Sequence, residues 1–159
     1  MPFSKIESAF NTCKSHLDSL GIADPSTAEI EAHIVSALLV LIVSEYEELI
    51  EKMFVERAGR SGDMHLAQYV RRTIARKFRS PDLTKITETL GQFGEDYRLH
   101  FSDIILNTEN HAAWDNIMRG RHAVVHKSGS LNITFRELLS TYPKTKEVLS
   151  ALRGTLGVR

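Results

Sequence analysis

Apolar residues recur at helical spacing along nearly the whole chain. Phe3, Ile6, Phe10, Leu17 and Leu20 mark a first helix over residues 3–20, ended by Gly21. The stretch Asp24 to Glu29 then offers two helix starts. Asp24 can cap with Pro25 at the first helical position, or Ser26 and Glu29 can form a capping box. A long second helix follows to about Ala58 and stops at Gly59; its centre, Ile34 to Val43, is apolar nearly all round, as in a central core helix. Asp63 caps a third helix reaching Arg79. Ser80-Pro81-Asp82 punctuates, with Ser80 as cap and Pro81 at the first position of a helix through Leu83, Ile86 and Leu90 that stops at Gly91. Phe93-Gly94 makes a corner, and Tyr97, Phe101, Ile104 and Ile105 mark another helix.

Asn107 or Thr108 caps the next helix, whose apolar positions are Trp114, Ile117, Met118, Val124 and Val125. Lys127 to Ser130 reads as a turn. Thr134 and Glu137 form a capping box for a last segment through Leu138 and Leu139, which Pro143 kinks or restarts. Val148, Leu149, Leu152 and Leu156 complete its packing face. There is no sustained alternating strand pattern and no internal repeat. The expectation is an all-α, up-and-down helical bundle, a single domain over 1–159 with the second helix at its centre.

Two charges conflict with this pattern. At about 100° per residue, Glu45 falls on the face of Ile34, Leu38, Leu41 and Ile42, and Arg121 lies within the apolar stripe of its helix between Trp114 and Val125. Either the two form a buried ion pair between helices, or Arg121 opens onto a cleft with Glu45 supporting it; a pair can serve both ends. Contact between Glu45 and Arg121 is the expectation. The net charge of zero gives no global pull toward nucleic acid, so any such binding needs a local basic patch. One cysteine, Cys13, excludes an internal disulfide and disfavours a cysteine-built zinc site. No export signal is read at the amino terminus, and the run Ile34–Val43 is too short to span a bilayer, so a cytoplasmic chain without membrane contact is expected.

His122 and His126 stand one turn apart, on a face shared with Asp115 and Arg119. That spacing suits two metal ligands, yet no carboxylate lies between them and no third ligand offers itself, so no metal and no cofactor are expected. The plainer alternative is a pair of solvated histidines at a helix end, where positive charge suits the dipole. The only dense basic block is Arg71, Arg72, Arg76, Lys77 and Arg79, either a solvated helix face or an RNA-backbone contact.

Arg121-His122-Ala123-Val124-Val125-His126, late in an all-helical chain, resembles the HEPN motif: an arginine, often followed by Asn, Asp or His, then three residues and a histidine. The run Ser44 to Ile50 closing the apolar helix, the Phe93-Gly94 corner and the Ile133-Thr134 start of the last segment are similar to the RiboL-PSP type of HEPN domain. The resemblance implies a metal-independent endoribonuclease, a homodimer with its motif helices facing across a cleft, and roles as a toxin, a phage-defence effector or an RNA-processing factor. RNA would be the substrate, and an antitoxin or defence-system protein a further partner. Arg121, His126 and His122 would be catalytic, with Arg119 in reserve because it fits a looser spacing of the motif. The same fold with a merely structural motif, binding RNA or protein, is the competing expectation.

Overall fold

The computed structural model describes residues 3–20, 26–126 and 133–158, and these form helices with no strand among them. In chain order they are α1 (Ser4–Ser19), α2 (Ser26–Gly59), α3 (Met64–Lys77), α4 (Leu83–Phe93), α5 (Glu95–Ile105), α6 (Glu109–His126) and α7 (Phe135–Leu156). The all-α architecture and the central second helix are as expected. α2 packs against α1, α3, α6 and α7, while α4 and α5 form a pair whose members reach α6 and α7. The starts offered by Asp24 and Pro25, and the turn from Lys127 to Ser130, lie outside the described residues.

Side chains fix the starts of α3, α4, α6 and α7. The Asp63 carboxylate accepts from the amides of His65 and Leu66. Thr108 caps α6, its hydroxyl accepting from the His111 amide at 3.3 Å. The Thr134–Glu137 capping box is present at α7. Three boundaries depart from expectation. The cap of α4 is Asp82, whose carboxylate accepts from the Lys85 amide at 2.7 Å, so Ser80 is left for another role. α4 also runs past Gly91, which a helix interior tolerates at about 1 kcal/mol, and ends at Phe93 with Gly94 as its C-cap. Pro143 does not restart α7; buried Leu138 and Tyr142 before it and Thr145, Val148 and Leu149 after it hold one helix against the core.

Tyr46 of α2 and Trp114 of α6 form the centre of the core. Both are fully buried and stacked, with centroids 5.1 Å apart and planes 9° from parallel. The Tyr46 hydroxyl meets Thr145 Oγ1 of α7 at 2.6 Å, and Phe3 stands edge-on to its ring. Burial pushes the Tyr46 phenol far above its usual range, with the Thr145 hydrogen bond opposing. A Cβ at Gly120 would sit 3.0 Å from Leu39 Cδ1, so the glycine lets α6 pack tightly on α2 at this point.

α2 is long and apolar enough, by length and composition, to cross a membrane, a longer window than the run Ile34–Val43 suggested. Its inner side is core: Val35, Leu38, Leu39, Ile42, Val43 and Tyr46 are buried. Its outer side carries exposed Ile30, Ala37, Val40 and Ser44 along one stripe, edged by half-buried Ile34 and Leu41.

The core assignment gives a stability prediction. Trp114→Ala should destabilise by about 3–5 kcal/mol, the range for deleting a buried large aromatic. Ser150→Ala, on the exposed side of α7, should stay within about 0.5 kcal/mol. Urea denaturation measures both, and similar costs for the two would refute this view of the core.

Candidate functional site

Trp114 does more than fill the core. Its indole N–H donates to the Pro81 carbonyl at 2.8 Å, fastening the α3–α4 connection to α6. That brings Ser80 under the side chain of Arg121, two turns further along α6. Arg121 Nη1 donates to Ser80 Oγ at 2.7 Å, and Arg121 Nη2 lies 3.9 Å from Glu47 Oε1 of α2. The same Glu47 oxygen accepts from the Ser80 amide at 2.7 Å. Ser80 thus bridges a carboxylate and a guanidinium, one through its backbone and one through its hydroxyl. It does so with φ at 54°, in the left-handed region that costs a residue with a Cβ about 1–2 kcal/mol. Lys85 Nζ braces the turn by donating to the Ser80 carbonyl at 3.1 Å and the Arg79 carbonyl at 3.3 Å.

The expected Glu45–Arg121 contact is not formed. Glu45 pairs instead with Lys5 of α1 at 2.5 Å. Residues two apart on a helix point about 200° from one another, so Glu45 faces α1 while Glu47 faces α6. Because α2 is apolar on most sides, its pattern did not distinguish the face meeting α1 from the face meeting α6. Glu47 and Ser80 were missed in consequence. Glu47 stands in the run Glu45 to Glu48, and a serine before Pro81 reads as a cap from sequence alone.

The imidazoles of His122 and His126 are exposed and in contact, with ring centroids 4.3 Å apart. A groove of about 530 Å³ opens beside them, lined among others by Ser80, Asp82, Lys85, Asp115, Arg119 and His122. Arg119 is exposed, donates weakly to the Asp115 carbonyl at 3.4 Å, and forms no ion pair among the described residues. Lys85 is drawn to Asp82 at 3.3 Å. The predicted residues therefore divide. Arg119 and His122 line the groove, His126 adjoins it through its ring contact, and Arg121 approaches from behind through Ser80. No group of three or more His, Cys, Asp or Glu side chains suited to a metal occurs among the described residues.

Within the basic block, Arg71, Arg72, Arg76 and Arg79 are exposed, and none joins an ion pair among the described residues. Lys77 is half-buried and reaches Gln92 Oε1 at 3.4 Å. Met64 to Lys77 contains no acidic residue at all.

The family model described as RiboL-PSP-HEPN matches residues 3–157. The chain belongs to the HEPN superfamily. Comparison with curated proteins and with solved structures gave no match. HEPN domains are often ribonucleases, and membership directs attention to cutting or binding RNA. In this HEPN chain Arg121 of α6 is tied down by α2 and the α3–α4 turn, and His122 and His126 lie exposed against each other at the surface.

A double-mutant cycle tests the observed wiring. Glu47→Ala and Arg121→Ala should show a coupling energy of about 0.5–3 kcal/mol, as groups in one network do. Glu45→Ala and Arg121→Ala should add within about 0.5 kcal/mol. Coupling to Glu45 instead of Glu47, read from denaturation midpoints, would contradict the assignment.

Proposed function

We propose that this HEPN chain is a metal-independent endoribonuclease working as a two-fold homodimer, serving a toxin, phage-defence or RNA-processing system. The observation carrying the reading is the contacting, exposed pair His122–His126 beside a groove with Arg119, with Arg121 held alongside by Ser80. One imidazole takes the proton of an RNA 2′-hydroxyl as that oxygen attacks the adjacent phosphorus. A second, protonated imidazole gives its proton to the departing 5′-oxygen. Imidazole suits both tasks because it ordinarily titrates close to neutrality. The guanidinium groups stabilise the extra negative charge on the pentacoordinate phosphorus. The products are a 2′,3′-cyclic phosphate and a 5′-hydroxyl, and no metal takes part in the bond changes.

A dimer supplies these groups in duplicate. Support comes from the outer stripe of α2, with Ile30, Ala37 and Val40, and from Val125 of α6, which is 48% exposed. Val125 and the exposed His122 and His126 stand together in the last turns of α6, so an interface covering Val125 would carry both motif histidines. A second copy over this stripe also removes an apolar surface that water disfavours.

One observation favours a second reading. Arg121 is committed to Ser80 and Glu47 and does not line the groove, as a structural arginine in a non-catalytic RNA- or protein-binding HEPN module would be.

Bulk RNA separates the two. Cleavage is expected to persist in EDTA and to fall about 10²–10⁴-fold in His126→Ala, the usual worth of a proton-transfer group. Arg121→Ala should be similarly damaging, His122→Ala milder and Arg119→Ala mildest. Sedimentation should show a dimer at micromolar concentration. A folded His126→Ala dimer cutting at the parent rate would rule out the enzyme reading, and no cutting by the intact chain would put the binding module in its place.

A further inference from the structure

α3 packs against α2 through Ala67, Val70 and Ile74, which lie on one side of the helix. At about 100° per residue, the diametrically opposite face is His65, Tyr69, Arg72 and Arg76, all exposed. Tyr69 is 68% exposed and stands one turn before Arg72 and two turns before Arg76, and its ring meets no partner among the described residues. The two other exposed apolar residues near the head of α3 are placed differently. Met64 turns into a groove with Val55 and Arg71, and Leu66 into one with Val70 and Phe93.

We infer that the outer face of α3 is a track for single-stranded RNA, with Tyr69 as the platform on which one unpaired base stacks. The inference rests on the RNA reading above and adds the strandedness of the substrate and the path it takes. Arg72, Arg76 and Arg79 meet successive phosphates, and no carboxylate between Met64 and Lys77 opposes them. A planar ring among arginines is the pairing that unpaired nucleotides require, since any base offers a π-face and every linkage a charge. A duplex hides its base faces and leaves Tyr69 without a role. An anionic membrane surface requires an apolar helix face, whereas here one ring lies among cations. The track also leads somewhere. Past Lys77 the chain passes Arg79 to Ser80, which lines the groove shared by Arg119 and His122. A strand laid along α3 is thereby delivered to the motif.

The test is fluorescence anisotropy of the full chain with a labelled 2′-O-methyl oligouridylate of about 12 nucleotides, which binds but lacks the attacking hydroxyl. Tyr69→Ala should weaken binding roughly 5- to 150-fold, the range for losing one base–aromatic stack. Tyr69→Phe should bind as the parent does, and a duplex of the same length should be indifferent to either change. Arg76→Gln should reduce the slope of log affinity against log salt by about 0.7, one single-strand phosphate contact. Parent-like binding by Tyr69→Ala would overturn the inference. So would equal losses on single strand and duplex, or a Tyr69 requirement seen with phosphatidylserine vesicles but not with the oligonucleotide. Failure of the enzyme reading is distinguishable. An intact oligoribonucleotide left uncut beside Tyr69-dependent binding removes the ribonuclease and keeps the track. Cutting at equal kcat/KM by parent and Tyr69→Ala keeps the ribonuclease and removes the track.

Discussion

The arrangement of the motif depends on a single backbone position, Ser80, held in a left-handed conformation between two helices. Its amide bonds Glu47 of α2 and its hydroxyl receives Arg121 of α6, each at 2.7 Å. Hydrogen bonds to charged groups contribute about 1.5–3 kcal/mol each, against about 1–2 kcal/mol for the strained φ, so the junction is favourable as a unit and costly in parts. The Glu47 and Arg121 side chains are 26% and 23% exposed, which keeps their direct Coulomb attraction modest; the shared serine carries more of the link than the 3.9 Å ion pair does. With Trp114 bonded to Pro81 next door, the α3–α4 turn becomes the common floor under the motif helix.

This junction explains how one helix can present an arginine and a histidine five residues apart, which point in different directions. The arginine is drawn inward to the turn, and the turn lines the groove that His122 borders from outside. The turn joins what helical periodicity separates. It also ties the basic surface of α3 to the motif, since Arg79 directly precedes Ser80. A chain with no net charge still carries exposed arginines outside any ion pair among the described residues, Arg119 in the groove with His122 and four more in the basic block, while Glu45, Glu95 and Glu109 are paired to cations.

Much of the fold was legible because helix boundaries are local chemistry. Asp63, Thr108 and the Thr134–Glu137 box announced their helices, and buried positions such as Ile117, Leu138 and Leu152 followed the helical period. The family, too, could be read from residue types and spacing. What escaped was tertiary. A helix apolar on nearly every side does not say which flank meets which neighbour, so Glu45 was chosen where Glu47 makes the contact. Ser80 and Asp82 are both good caps, and only the positive φ of Ser80 and its two partners decide between them. Tyr69 gave a signal that periodicity could have found, an aromatic opposite the packing face, but packing arguments attend to buried rings.

The central claim is that protein groups on α6, without a metal, direct an RNA 2′-hydroxyl onto its own phosphate. The most direct measurement uses a short RNA with one preferred cleavage site, incubated with the chain in EDTA, beside a twin carrying a single 2′-deoxyribose immediately 5′ of that bond. Mass spectrometry of the fragments should find a 2′,3′-cyclic phosphate and a 5′-hydroxyl from the first and intact substrate from the second. Cleavage of the deoxy twin at the same bond, or fragments ending in a 5′-phosphate, would contradict the account.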